Sequence, residues 1–90
     1  MVSMDSTPVT DNPSEVTAAQ LRAARALLGW SRPVASVRCK VGEATLARLE
    51  RGETVPHAQT IEAIVRSFEA HGIRFFVERG MTGTAIMSKV

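Results

Sequence analysis

The sequence contains one cysteine, Cys39, among 90 residues, so no disulfide can form within the chain. Neither a histidine nor a second cysteine stands near Cys39 at the spacing of metal ligands. No apolar run approaches the roughly 18 residues that span a bilayer, and the N-terminus lacks the basic-then-apolar order of a signal peptide. We therefore expect a protein of the reducing cytoplasm with no membrane partner.

Groups of residues typical of catalysis are missing as well. The sequence offers no Ser-His-Asp or Cys-His arrangement, no paired carboxylates and no metal-ligand cluster, and its two histidines have no evident partners. We expect no enzymatic activity, no cofactor and no bound metal.

The charged residues are divided unevenly along the chain. Asp5, Asp11 and Glu15 precede the first basic residue. The remainder has eleven Lys and Arg against six Glu, a balance of +5, although the whole chain is only at +2. This modest basic excess suits a polyanionic partner such as nucleic acid without requiring one.

The composition divides the chain into three segments. Residues 1–16 combine prolines, acidic residues and turn formers, which predicts a flexible N-terminal tail. Residues 17–72 carry helical periodicity and suffice for one small domain. Residues 73–90 alternate between apolar and polar positions around a turn, which predicts a C-terminal strand or hairpin and a candidate dimerisation element.

Capping residues open the first two predicted helices. Thr17 and Gln20 form a capping-box pattern before a helix over 18–28, which ends at Gly29. Ser31 caps a second helix that continues to about Cys39.

The remaining helices are predicted from periodicity and stop signals. A third spans 43–51, with Leu46 and Leu49 facing inward and Gly52 as a left-handed stop. A fourth begins at Pro56 and ends at Gly72. The sequence thus predicts a mainly α domain of four to five helices with a short C-terminal β-hairpin or strand.

Two stretches together carry a family pattern, LGWS at 28–31 and VGEATLARLERG at 41–52. The most specific part is 45–52, with two core leucines, an inward-facing glutamate and a helix-stop glycine in fixed order. Over residues 17–71 the chain resembles the Cro/lambda-repressor-like (XRE-type) helix-turn-helix family. The resemblance implies a lambda-repressor-like fold and a bacterial DNA-binding regulator, with 17–72 as its helix-turn-helix domain.

The resemblance also implies which residues meet double-stranded DNA. The set comes from the start of the second helix, the exposed face of the third and the segment that follows: Ser31, Arg32, Glu43, Ala44, Thr45, Arg48, Arg51 and His57. Arg32, Arg51 and His57 would hold phosphates, and 43–45 with Arg48 would face bases. The chemistry agrees, because small residues permit entry into a groove about 12 Å wide and arginine pairs bidentately with guanine.

These residues also have structural interpretations. Arg48 and Arg51 could be solvated arginines on any helical domain. We favour Glu43 as a first-turn carboxylate that stabilises its own helix over Glu43 as a base contact. Thr45 could contact a thymine methyl or pack beside the second helix.

Other residues are expected to be structural. By the resemblance, Arg25 and Glu50 form a salt bridge between the first and third helices. We expect Trp30 to cap the core, Cys39 to be a small buried residue and His71 to stabilise a helix end.

The second helix and its turn depart from the family pattern. Ala35 and Ser36 stand where the family has a larger Leu-Ala pair, so Val34 and Val37 either replace them through a rotated helix or are exposed. Lys40 stands where the family prefers Gly, and a left-handed conformation there costs roughly 1 to 2 kcal/mol. Gly42 replaces the usual capping Ser or Thr.

Two functions remain open. The first is a transcriptional regulator that binds an operator as a homodimer, with Phe75, Phe76 and the strand edges as its dimer surface. The second is a degenerate helix-turn-helix protein that binds another protein through Val34, Val37 and the hairpin, as an antitoxin or anti-activator does.

Overall fold

The computed structural model describes residues 6–8, 13–53 and 57–87. In chain order the elements are β1 (Ser6–Pro8), a 3-10 turn (Pro13–Glu15), α1 (Ala18–Leu28), α2 (Arg32–Cys39), α3 (Glu43–Glu50), α4 (Ala58–Ala70), β2 (Ile73–Glu78) and β3 (Met81–Ile86). The mostly helical fold with its C-terminal hairpin confirms the predicted fold class. No helix within the described residues is long and apolar enough to cross a membrane.

A left-handed residue follows each of the first three helices. Gly29, Lys40 and Gly52 have φ values of 68°, 56° and 70°. The next amide in each case donates to the carbonyl five residues earlier, in the pairs Trp30 to Arg25 (3.0 Å), Val41 to Ser36 (3.1 Å) and Glu53 to Arg48 (3.0 Å). These Schellman motifs satisfy carbonyls that the helix ends leave open. The stop predicted at Gly52 is confirmed.

The predicted capping box opens α1. The Thr17 amide donates to Gln20 Oε1 at 3.0 Å, and the Gln20 amide donates to Thr17 Oγ1 at 3.1 Å. The buried Gln20 side chain also donates from Nε2 to the Gly83 carbonyl in β3 at 2.7 Å. One residue therefore both starts the helix and ties it to the sheet.

The core lies between α1, α4 and the inner face of the sheet. Phe68 of α4 meets Phe75 of β2 edge to face, with ring centroids 6.2 Å apart, and Trp30 stacks on Phe68 at 5.6 Å. Aromatic pairs of this kind contribute about 0.5–1.5 kcal/mol beyond the apolar area they bury. Trp30 caps the core and Cys39 is buried within it, as expected.

The assignment of Phe75 to a dimer surface is wrong. Its ring is fully buried against Phe68. Phe76 is half-buried and covers Gly83, where a β-carbon would come within 2.4 Å of the Phe76 ring. Adjacent strand residues point to opposite faces, and alternation alone does not say which face α4 covers. The fold therefore uses both rings inside one chain.

The packed domain begins before residue 17. β1 pairs antiparallel with β2 in a sheet of order β1-β2-β3, with Thr7 opposite Val77. The 3-10 turn packs against α4, and Val16 is buried in the core. The flexible tail predicted over 1–16 is therefore wrong for residues 6–8 and 13–16. Pro56, the predicted start of the fourth helix, lies outside the described residues, and α4 begins at Ala58.

A buried carboxylate connects the first three helices. Glu50 is 1% exposed and binds Arg25 at both oxygens, Oε2 to Nε at 2.8 Å and Oε1 to Nη2 at 2.9 Å. Arg32 of α2 approaches Oε1 at 3.5 Å, and Arg22 of α1 donates to the Glu50 main-chain carbonyl. The hydrogen bonds that Arg25 donates to Glu50 raise the pKa of Arg25. The structure confirms the Arg25–Glu50 salt bridge.

Replacing Glu50 with Gln should destabilise the domain strongly. The amide cannot neutralise Arg25, and a buried ion pair that loses one partner costs about 3–5 kcal/mol. Glu53→Gln is the matched control, because it removes the same charge from a solvent-exposed pair with Arg51 and should leave the free energy of unfolding nearly unchanged. Urea denaturation gives both free energies of unfolding. Equal losses in the two variants would contradict the role of Glu50.

Candidate nucleic-acid interface

The residues of α3 are divided between a buried and an exposed face. Leu46, Leu49 and Glu50 point inward, at the i, i+3 and i+4 spacing that places side chains on one side of a helix. The exposed residues of α3 are Glu43, Ala44, Thr45 and Arg48. All four residues predicted to face bases thus lie on its solvent-exposed surface.

The exposed surface of α3 combines small side chains with one open cation. Ala44 and Thr45 are short, so another molecule can approach the helix closely. The Arg48 side chain makes no hydrogen bond or ion pair with the part of the chain that the structure describes, although it lies near enough to Glu53 to help lower the pKa of that carboxyl. Its guanidinium therefore keeps its donors available for a partner such as the guanine edge.

Ser31 and Arg32 form the start of α2, and Arg32 lies beside the buried Glu50. The Ser31 hydroxyl caps the helix by accepting from the Val34 amide at 3.3 Å. Arg32 is half-buried, and its Nε is buried with no hydrogen-bond partner among the described residues. Its guanidinium is thus held in place by Glu50 while part of it faces solvent.

Arg51 is paired with a residue that sequence reasoning missed. Its Nε lies 2.6 Å from Oε2 of Glu53 and its Nη2 lies 3.1 Å from Oε1. The pair forms because the left-handed Gly52 turns the chain back, and it lowers the pKa of Glu53. The available signal was a carboxylate two residues after Arg51. A phosphate at Arg51 has to compete with this carboxylate.

His57 lies at the start of α4, where it is exposed. Its side chain makes no capping hydrogen bond to the helix. The imidazole is therefore open to solvent at the N-terminal end of α4.

The structure settles how α2 presents its residues. Ala35 is buried, whereas Val34 is exposed and Val37 is 77% exposed, so the helix is not rotated to bury the valines. Ser36 donates its hydroxyl to the Val41 carbonyl, which secures the turn into α3. The small side chains of residues 35 and 36 thus let the turn approach α2 closely.

An open groove runs from this turn to the first turns of α4. Its volume is about 390 Å³, and its polar lining includes Lys40, Thr45, Gln59 and Thr60. Gly42 contributes no side chain to it. Lys40 and Gln59 were not among the predicted DNA contacts. Lys40 lines this groove together with Thr45, and Gln59 follows His57 by two residues in the sequence.

Comparison with known families places this geometry in a defined class. The family described as a helix-turn-helix domain matches residues 17–73, from the N-cap of α1 to the first residue of β2. The chain belongs to this family, and the match is of the Cro/XRE-like kind. The comparison with curated proteins found no match. Domains of this family generally bind DNA and are not enzymes.

Replacing Lys40 with Gly should stabilise the turn that presents α3. A residue with a β-carbon is destabilised by roughly 1–2 kcal/mol in the left-handed conformation, and glycine avoids this cost. Part of the stabilisation is offset because a glycine loses more chain entropy on folding. Lys40→Ala is the control because it removes the same charge but keeps the β-carbon. In urea denaturation, Gly should exceed Ala by about 0.5–1 kcal/mol. An Ala variant as stable as the Gly variant would show that the turn is unstrained.

Proposed function

We propose that the protein is a bacterial transcriptional regulator of the cytoplasm that binds a specific operator as a homodimer, with α3 in the major groove. The carrying observation is the exposed surface of α3, where short side chains lie beside the uncommitted Arg48. Arg48 lies on a helix that a buried ion pair holds in place. This supports recognition of base edges by Arg48, because direct readout needs rigidly positioned donors.

The proposed contacts fall into two kinds. Glu43, Ala44, Thr45 and Arg48 face base edges, with Arg48 carrying most of the discrimination. Ser31, Arg32, Arg51 and His57 set the position of the domain on the phosphates. Two of these phosphate ligands already neighbour carboxylates, Arg32 at Glu50 and Arg51 at Glu53. The carboxylates lower the sequence-independent affinity and leave specificity to α3.

A homodimer suits this mode of binding. Two copies related by a two-fold axis present two recognition helices to successive major grooves about 34 Å apart. Each copy contributes one small set of DNA contacts, and the two copies together reach the DNA affinity of a specific regulator.

Arg48→Ala should remove preference for the operator while leaving the fold intact. Loss of a bidentate arginine–guanine pair costs about 1–3 kcal/mol of discrimination, or roughly 5- to 150-fold. Arg74→Ala, an exposed arginine on β2, is the matched control. Mobility-shift titrations compare a duplex selected from a random pool with random DNA. An unchanged ratio in Arg48→Ala would overturn the assignment.

The exposed valines of α2 favour a second candidate, a protein-binding helix-turn-helix that acts as an antitoxin or anti-activator. Val34 and Val37 adjoin Pro33 and the stem of Arg38 in a shallow surface groove. An apolar surface of this kind suits a protein partner better than it suits DNA.

Salt dependence separates the two candidates. Binding to phosphates releases counterions, so the logarithm of the affinity should fall by about 0.9 per phosphate contact for each tenfold rise in salt. Val37→Lys should leave this DNA binding in place. Salt-insensitive binding to a partner that Val37→Lys abolishes would favour the protein-binding function instead.

A further inference from the structure

The outer edge of β3 presents main-chain groups that no other strand of the described residues uses. β2 lies in the centre of the sheet and pairs with β3 in the register Ile73 to Ile86. The Met87 amide donates to the Gly72 carbonyl at 2.8 Å, which fixes the odd-numbered residues of β3 as those bonded to β2. Bonding alternates along an antiparallel strand. The amides and carbonyls of Thr82, Thr84 and Ile86 therefore point away from β2.

This edge lacks two of the features that usually prevent strands from pairing, which are charged side chains and proline. Residues 81–87 contain no charged residue and no proline. The opposite edge of the sheet is a three-residue strand that ends at Pro8. Six large apolar side chains are exposed among the described residues, and three of them lie here: Met81 (65%), Ile86 (42%) and Met87 (53%). Within the described residues, the edge is thus apolar and has no further strand paired to it.

We propose that a second copy of this chain pairs with the outer edge of β3, antiparallel and about a two-fold axis at Thr84. In this register Thr84 faces Thr84 of the partner subunit, and Thr82 faces Ile86 of the partner subunit. The outward-pointing groups of one chain then meet those of the other, in three pairs that each exchange two hydrogen bonds. The inference rests on the homodimer of the proposed function and specifies its interface.

The side chains suit the same register. Met81 lies opposite Met87 of the partner subunit on the outer face of the sheet, so both exposed thioether side chains become covered. The uncharged edge also lets two basic chains meet without opposing like charges there.

Two substitutions at Thr84 test the pairing by sedimentation equilibrium of the full chain. Thr84→Pro removes the central outward amide without removing a bond between β2 and β3, whereas Thr84→Val keeps that amide and equally lacks the hydroxyl. Wild type and Thr84→Val should be dimers, and Thr84→Pro should dissociate about ten-fold more readily or further. A folded Thr84→Pro that dimerises as tightly as Thr84→Val would overturn the interface.

Amide hydrogen exchange of the wild-type chain decides the matter if Thr84→Pro does not fold. The amides of Thr82, Thr84 and Ile86 should exchange more slowly as the dimer forms with rising concentration. A dimer in which these three amides exchange freely places the interface elsewhere, and a monomer at all concentrations excludes a second copy in favour of another occupant; either result overturns the proposal.

DNA binding gives a separate readout. A monomeric, folded Thr84→Pro should still bind random duplex DNA with salt dependence, because α3 is unchanged. Dimerisation without any DNA binding would contradict the proposed function and leave the interface standing.

Discussion

The orientation of α3 depends on the buried carboxylate of Glu50. Leu46 and Leu49 can fix how deeply α3 packs, but apolar contacts alone tolerate rotation about its axis. The bidentate pair with Arg25 sets that rotation, since both oxygens are engaged at hydrogen-bond distance. Arg32 brings α2 to the same carboxylate. An ionic contact inside the protein therefore determines which surface of α3 faces solvent.

If the proposed function holds, the arrangement of charge explains how a chain with a net charge of +2 selects among DNA sequences. Arg25 is paired with the buried Glu50, and Arg51 is paired with Glu53 in the free protein. Arg48 has no such partner within the described residues. Electrostatic attraction to any phosphate backbone is thus moderate, and the unpaired guanidinium of Arg48 lies where base edges would be read. Modest non-specific affinity favours discrimination among sequences.

Local signals in the sequence predicted much of the fold. The capping box at Thr17 and Gln20 and the stop at Gly52 are encoded within a few residues, so helix ends were predictable. The Arg25–Glu50 pair lies 25 residues apart and followed only from the family resemblance. Such long-range contacts leave no local pattern.

The failures share a physical cause. Alternation in β2 could not identify Phe75 as the buried ring, because that depends on where α4 packs. The pairing of β1 with β2 joins segments about 70 residues apart. Because β1 has only three residues, it is too short to show the alternating pattern of a strand. At the candidate interface, the exposed residues of α3 followed from periodicity. The Arg51–Glu53 pair did not, because it depends on the turn geometry at Gly52.

Backbone amide chemical shifts of the labelled protein, followed while duplex DNA is added, test the central claim most directly. The account predicts that the largest changes map to α3 at Ala44, Thr45 and Arg48, with smaller ones at the start of α2. Changes confined to the exposed valines of α2 or to the sheet, or no changes at all, would contradict it.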